Sequence, residues 1–586
     1  MTLGELGVQR DGDGVRFGVW APNAAAVSVI GDFNGWKPGA HPLVEHAGTW
    51  TGRVTGLARG ALYKFHITSK LRGYQVAKAD PFARRSEVAP GTASIVWWSE
   101  YAWTDAAWLT TRAARSAPDA PMAIYELHLG SWQRDRDRML SYREITPRLV
   151  EHVTRLGFTH VELMPLTEHP FYGSWGYETT GYFAATSRYG TPDELMAMID
   201  ALHAAGLAVI LDWVPAHFPT DEHGLGYFDG TPLYEHADRK LGFHPEWNTA
   251  IFDFGRPEVR EFLLASALFW LEQFHVDGLR VDGVASMLYR DYGRKPGEWL
   301  PNASGGNEYV EAVEMLKSLN LAIARAHPDT FTVAEESTAW PHVTGAPPSG
   351  LGFSYKWDMG WMHDTLAYLE RDPVHRKFHH DELTMRGLYA WNERFVLPLS
   401  HDEVVYGKRA LVKKFPGDTW QQLATLRLLY AYMYSLPGKK LLFMGDELAQ
   451  AHEWNHDAAL DWPGNPQIQL LVGELNRLYR GEPALHELDC DPAGFRWIDA
   501  DDAEHSVLTY ERRSRAGDVI VCALNFTPEA RLGYRVRAPA PGTWREVLNT
   551  DAAAFGGSGR GNLGAVEATA TMTITIPPLG AVWFRR

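Results

Sequence analysis

The chain has 586 residues, 45% hydrophobic and 22% charged, enough for roughly three or four domains with cores that need no covalent staples. Its 72 Asp+Glu outweigh 56 Lys+Arg for a formal charge of −16, which disfavours nucleic acid or any other polyanion as a partner. Two cysteines, Cys490 and Cys522, are too few for a disulfide framework, no apolar run is long enough to span a membrane, and MTLGELGVQRDGDG has neither a basic start nor an apolar h-region, so a cytoplasmic protein without a membrane partner is expected.

Residues 14–100 alternate with period two through VRFGVWAP, AVSVIGDF, TWTGRV and ALYKFHIT, separated by turn signals such as FNGW and ARGA. That pattern predicts a small β-sandwich within 1–115, with Trp36 of GDFNGW read first as a core residue and second as a sugar platform. The Ala-, Ser- and Pro-rich stretch 104–121 reads as a linker. From Met122 short apolar strands alternate with helical stretches near 143–156, 192–205 and 256–275. The strands are MAIYELHLGSW, HVELMPL, AVILDWVPAH, GLRVDG, TFTVAEES, FVLPLSHDE and KKLLFMGDE. The rhythm predicts a (β/α)8 barrel over 116–485, an α/β fold, interrupted by a long Gly-, His- and aromatic-rich insertion at 218–255. SVLTYERR, DVIVCALNF, MTITIPP and AVWFRR return to strand character, predicting an antiparallel β-domain over 486–586 in which 553–565 is a mobile loop.

In a barrel of this kind functional groups collect at the C-terminal ends of the strands. Those ends carry Asp212 and His217, then Arg280 and Asp282, then Glu335 and Glu336, and later His401, Asp402 and Glu403. Any one of these could be a helix cap or a structural ion pair. Four strand ends converging on carboxylates and histidines point instead to a site. Acetal cleavage needs an acid for the leaving oxygen and an anion facing the oxocarbenium centre, and neighbouring carboxyls can have their pKa values driven apart to fill both roles. Arg280, two residues before Asp282 on one strand, shares its face and can hold that aspartate ionised. No HExxH or CxxC spacing supports a metal, and neither metal nor cofactor is expected. The 12% of Trp, Tyr and Phe would pack cores in the main, while those beside the site can stack on sugar faces.

DWVPAH (212–217), GLRVDGVASM (278–287), VAEES (333–337) and LPLSHDEVVYGK (397–408) are similar to the four signature segments of the α-amylase superfamily. Within it, HPFYGSWGYETTGYFAATSRYGTP, MLYRDYGRKPGEW, GFSYKWDMGWMHDTL and FMGDELAQAHEWNHD resemble the bacterial 1,4-α-glucan branching enzymes. The resemblance implies Asp282 as nucleophile, Glu335 as general acid/base and Asp402 as the second aspartate that binds sugar hydroxyls. It implies Tyr177, Asp212, His217, Arg280 and His401 around the sugar under attack, Tyr177 by stacking, and no catalytic role for Glu336 or Glu403. It also implies a starch-binding-like N-terminal module, an α-glucan polymer such as glycogen, amylose or amylopectin as substrate, and a chain expected to act as a monomer.

Tyr406 stands where the family often has His, and Tyr309 where an Asn is common; both bear on acceptor or chain-length preference. The N-terminus leaves room for one sandwich module where some relatives carry another. The implied reaction is α-1,4 cleavage with transfer to a 6-hydroxyl. The alternative is an α-glucan hydrolase of the same superfamily, debranching or trehalose-releasing, since water and a hydroxyl attack the same intermediate. Tyr172, Trp175, Trp357 and Trp361, together with the insertion, are expected to offer surfaces to a second glucan chain.

Overall fold

The computed structural model describes residues 3–586. Near the N-terminus, strands Gly7–Asp11, Gly14–Trp20, Thr49–Thr55 and Val44–His46 form one antiparallel sheet, and Ala24–Gly31, Leu62–Ser69 and Gln75–Lys78 build most of a second. Alternation explains their packing: along Leu62–Ser69 every second residue is buried, and Tyr63 and Phe65 meet Phe17 of the other sheet edge-on, with ring centroids 5.0 and 6.5 Å apart. Trp36 is not a core residue. It is 39% exposed, because Gly35 and Trp36 are both left-handed (φ 63° and 58°) and turn the indole outward.

The stretch read as a linker contains a helix, Ala106–Arg115, that buries Trp108 and Arg112 on one face. Trp108 Nε1 donates to Asp277 Oδ1 at 2.8 Å, and the Trp108 ring stacks on His203, which is held between Asp105 (2.9 Å) and Asp277 (3.0 Å). Composition alone hides this, since one tryptophan anchors an otherwise Ala- and Thr-rich segment.

Eight parallel strands close the barrel: β1 Ala123–Leu127, β2 His160–Leu163, β3 Ala208–Trp213, β4 Gly278–Val281, β5 Phe331–Ala334, β6 Tyr355–Trp357, β7 Phe395–Leu399 and β8 Lys439–Phe443. β6 is the strand that the apolar rhythm does not reveal, being only three residues, YKW. Helices Tyr142–Leu156 and Pro192–Ala204 open on capping boxes at Ser141 and Thr191, each closed by a glutamate three residues on. The 218–255 insertion begins within a three-stranded antiparallel sheet made of His217–Phe218, Thr249–Ile251 and Phe243–His244.

The N-terminal module is fastened to the barrel and to this insertion. Phe82 stacks on Phe183 at 4.8 Å, Trp20 meets Tyr234 edge-on at 5.8 Å, and Asp229 Oδ2 accepts the Asn23 N–H at 2.8 Å. The C-terminal eight-stranded sheet packs on the barrel helix Thr419–Ser435, where Arg512 donates to the Ser435 carbonyl at 2.9 Å and to Asp489 at 2.8 Å. The 553–565 stretch is held at its middle: Asp551 accepts the N–H groups of Ser558 (2.8 Å) and Arg560 (3.2 Å). Among the described residues no helix is long and apolar enough to cross a membrane.

Candidate active site

Asp212 on β3 and Arg280 on β4 are register partners, and parallel neighbours in register point to the same side of the sheet. Both are buried, 0% and 1% exposed. Arg280 Nη1 donates to Asp212 Oδ1 and Oδ2 at 2.8 and 2.7 Å and to Asp282 Oδ1 at 2.8 Å. One guanidinium thus serves two carboxylates. Its position is fixed from below by Trp357, whose ring centroid is 4.4 Å from the Arg280 guanidinium carbon. Trp357 is 0% and Trp361 1% exposed, so neither can present a surface to a glucan chain. Trp357 is the bed under Arg280.

Tyr177 donates its hydroxyl to Asp212 Oδ2 at 2.7 Å, and its ring stacks on that of His401 at 5.6 Å. His401 is gripped by Glu126 of β1, with Nδ1 2.5 Å from Oε1 and the backbone N–H 3.0 Å from Oε2. Its Nε2 therefore faces Tyr177 Oη (3.2 Å) and Asp402 Oδ1 (3.5 Å). Burial lowers the imidazole pKa, but the charges of Asp402 and Glu126 overcome it and push the ring up to about 9. Burial raises the Asp402 carboxyl, and His401, Arg280 and Lys408 more than offset this, leaving it below the ordinary value.

Glu335 follows β5, and its Oε2 accepts the Gly283 N–H at 2.9 Å. Gly283 holds φ 65°, the left-handed turn that brings the backbone after Asp282 toward Glu335. Asp282 and Glu335 both rise: burial is the first cause for each, repulsion within the set adds to it, and Arg280 opposes. His217 is buried and lowered to about 4, first by burial and then by His244, and is therefore neutral at pH 7. Its ring lies 5.0 Å from that of Trp247, which stacks flat on His244 at 3.8 Å.

These groups line a cleft of about 430 Å³ that contains Tyr177, His217, Asp282, Glu335, His401 and Asp402. One wall carries Trp175 and Tyr406, stacked at 5.8 Å and 13°, and the other carries Trp247 and Tyr292. Tyr172 stands behind the wall, with its hydroxyl donating to the His456 carbonyl at 2.9 Å. Glu336 is buried against Lys356 at 2.6 Å, and Glu403 has Lys408 at 3.8 Å. Tyr309 is buried under Arg290, 5.1 Å from its ring, and does not line the cleft.

Glu126 and Glu162 escape the reading of strand ends because they lie inside strands. The available signal is a carboxylate in the wholly buried strands AIYEL and HVEL. Glu162 is the register partner of Glu126, and neither of its oxygens has a hydrogen-bond partner among the described residues. Burial and then the Glu126 charge push its pKa well up.

Residues 5–83 match the family of carbohydrate-binding module 48 (isoamylase N-terminal domain), 141–231 the α-amylase catalytic domain and 497–586 the α-amylase C-terminal all-beta domain. A 1,4-alpha-glucan branching enzyme GlgB of Aromatoleum aromaticum is 57% identical, covering 99% of this chain and 94% of its own. Another of that name from Albidiferax ferrireducens is 55% identical, over 97% and 94%. In fold the chain is also similar to a pullulanase from Bacillus acidopullulyticus, with a TM-score of 0.75 at 15% identity over 100% of this chain and 75% of that one. Barrel, flanking β-modules and full-length identity agree: the chain belongs to the 1,4-α-glucan branching enzyme family of the α-amylase superfamily.

Proposed function

We propose that Asp282, Glu335 and Asp402 carry out a two-step, retaining transfer on an α-glucan such as glycogen, amylose or amylopectin. In the first step an Asp282 oxygen bonds to C1 as the C1–O4 bond breaks, and Glu335 gives its proton to the departing O4. In the second, Glu335 takes the proton of an acceptor 6-hydroxyl, O6 bonds to C1, and the Asp282 ester bond breaks. The products are an α-1,6 branch and a shortened donor.

The observation that carries the reading is the unequal hydrogen-bond support of Asp282 and Glu335. Asp282 has a charge-assisted bond from Arg280, whereas Glu335 has only a neutral backbone N–H. The Arg280 bond favours the ionised form of Asp282, and Glu335, without a charged donor, is the carboxyl suited to bring the proton. Asp402, held ionised beside His401, binds sugar hydroxyls; Tyr177 stacks on the ring under attack, and Asp212, His217, Arg280 and His401 hold and polarise the same subsite.

The units we assign are 1–115 for polymer handling, 116–485 with its 218–255 insertion for catalysis, and 486–586 as the C-terminal β-domain. We assign the chain as a monomer acting in a bacterial cytoplasm, which suits a glycogen-making enzyme. Incubation with amylose tests the activity. Branching lowers iodine absorbance with almost no new reducing ends, and subsequent isoamylase releases short chains. Reducing ends rising in step with the colour loss would make the chain a hydrolase.

A further inference from the structure

Inside the barrel, Ile210 packs with Ile124, Val333 and Val396, all 0% exposed. Glu162 is the register partner of Ile210 and of Glu126, so it faces the same interior. An eight-stranded barrel rises by about one residue per strand, and each interior layer takes its side chains from alternate strands. The registers then put Glu162 of β2, Arg280 of β4, Trp357 of β6 and Leu441 of β8 in one layer. The Arg280 guanidinium 4.4 Å from the Trp357 ring is a contact within that layer. Ile124, Ile210, Val333 and Val396 close it from below, and Glu126 and Asp212 stand above it.

Glu162 and Arg280 are neighbours in this layer, and each leaves buried polar atoms unused. Arg280 Nη1 makes the bonds to Asp212 and Asp282, while Nε has no hydrogen-bond partner among the described residues. Glu162 is 0% exposed, and both of its oxygens are without a donor. The ion pairs of Arg280 go to Asp212 and Asp282, and among the described residues none goes to Glu162. Burial and the Glu126 charge raise the Glu162 carboxyl and Arg280 is the first group to oppose them, so the guanidinium lies within electrostatic reach.

A donor without an acceptor and acceptors without a donor, side by side in one buried layer, mark a place for a molecule that is both. A cation there would face Arg280, and an anion would face Glu126 and Asp212. Water meets neither objection and needs only a few polar partners. We propose that a buried water bridges Arg280 Nε to the Glu162 carboxyl, and that Glu162 is thereby a positioning residue for the reaction. The guanidinium is then fixed by Trp357 against its face, by Asp212 on Nη1 and by Glu162 through the water on Nε. So held, it keeps Nη1 aimed at Asp282, and the role rests on the reading of Asp282 as nucleophile. It also gives a use to a carboxyl that an apolar residue of the same size would replace at lower cost.

The test uses the full chain and two variants. Glu162→Leu fills the space without a polar atom and is expected to lower kcat for total bond cleavage on amylose at least about ten-fold. Its KM is expected to change little, and its thermal midpoint to equal or exceed the wild type. Glu162→Gln keeps an acceptor oxygen for the water and is expected to recover most of the lost kcat. A crystal structure of the wild type is expected to show a water within hydrogen-bond distance of Arg280 Nε and a Glu162 oxygen. A Leu variant with wild-type kcat, or one whose kcat and thermal midpoint fall together, overturns the positioning role. A Gln variant as slow as the Leu variant, or a dry site between the two residues, overturns the bridge. The readings fail separately: turnover that survives Asp282→Ala sinks the nucleophile assignment, whereas kcat that survives Glu162→Leu in a chain dependent on Asp282 sinks only the role of Glu162.

Discussion

Glu126 accepts two hydrogen bonds from His401, one from the ring Nδ1 at 2.5 Å and one from the backbone N–H at 3.0 Å. A single carboxylate from the first strand thus sets both the main chain and the imidazole that precede Asp402 on the seventh. Because Nδ1 is committed to Glu126, the proton on Nε2 is the one available to Tyr177, Asp402 and a bound sugar.

Glu126→Gln keeps the shape and removes the charge. The His401 pKa is then expected to fall, and the alkaline limb of the pH–kcat/KM profile to move to lower pH by about one unit or more. His401 observed by NMR gives the titration directly. An alkaline limb and a His401 titration both unchanged would show that Glu126 only fills space.

The same pair makes a stability prediction. His401 is raised in the folded chain, from 6.5 to about 9, so its contribution is fully present below pH 6.5 and is lost as pH rises through about 9. Glu126 and Asp402 face the ring with negative charge, and Arg280 opposes them. Lys78 runs the other way in an overlapping window, being lowered by burial to about 8. The clean quantity is the wild-type thermal midpoint minus that of Glu126→Gln: positive near pH 6 and shrinking toward pH 9. A difference flat across that range would refute the linkage.

Asp282→Ala, Glu335→Ala and Asp402→Ala are each expected to lower turnover on amylose by at least about 10³-fold. Their folds are expected to survive. Arg280 keeps Asp212 when Asp282 goes, and Asp402 has 41% of its side chain in solvent. Asp282→Ala and Glu335→Ala also relieve repulsion within the carboxyl set, so their thermal midpoints are expected to equal or exceed the wild type. Near-normal turnover in any one would remove that residue from the mechanism.

The strand ends were legible because a carboxylate after VIL, LRV or TVA interrupts an apolar run at the place where barrel chemistry sits. What lies beneath those strand ends leaves no such mark. Glu126 and Glu162 look like ordinary strand residues until closure of the barrel places them side by side under His401. Trp357 has the residue type of a sugar platform, and only the crossing of β6 under Arg280 shows that it is a packing surface for the guanidinium. Trp36 fails in the opposite direction, because two consecutive left-handed residues cannot be inferred from GDFNGW.

Deleting residues 1–115 is expected to give an insoluble chain. The cut uncovers Phe183 and Tyr234, strips the buried Asp277 of its Trp108 donor, and frees His203 from Asp105. Soluble yield and circular dichroism decide it. A soluble, folded truncation would show that these contacts fasten the module without holding up the barrel.

Trp247 bears on what distinguishes transfer from hydrolysis. Water and a 6-hydroxyl compete for the same glycosyl intermediate, and the hydroxyl prevails only when its chain is held, since a well-oriented reactant can reach an effective molarity of ~10⁵ M or more. Trp247 is 36% exposed, borders the cleft containing Asp282 and Glu335, and is stiffened by His244 stacked at 3.8 Å. An open, rigid indole on the wall of the cleft that holds the carboxylates is suited to an acceptor chain. Losing a platform that contributes about 1 kcal/mol of stacking lowers acceptor occupancy roughly five-fold. Trp247→Ala is therefore expected to raise the number of reducing ends formed per branch about five-fold, while total bond cleavage changes much less. Quantifying reducing ends beside isoamylase-released chains gives that ratio. A variant that slows cleavage and branching equally would place Trp247 on the donor side, and the acceptor assignment would fall.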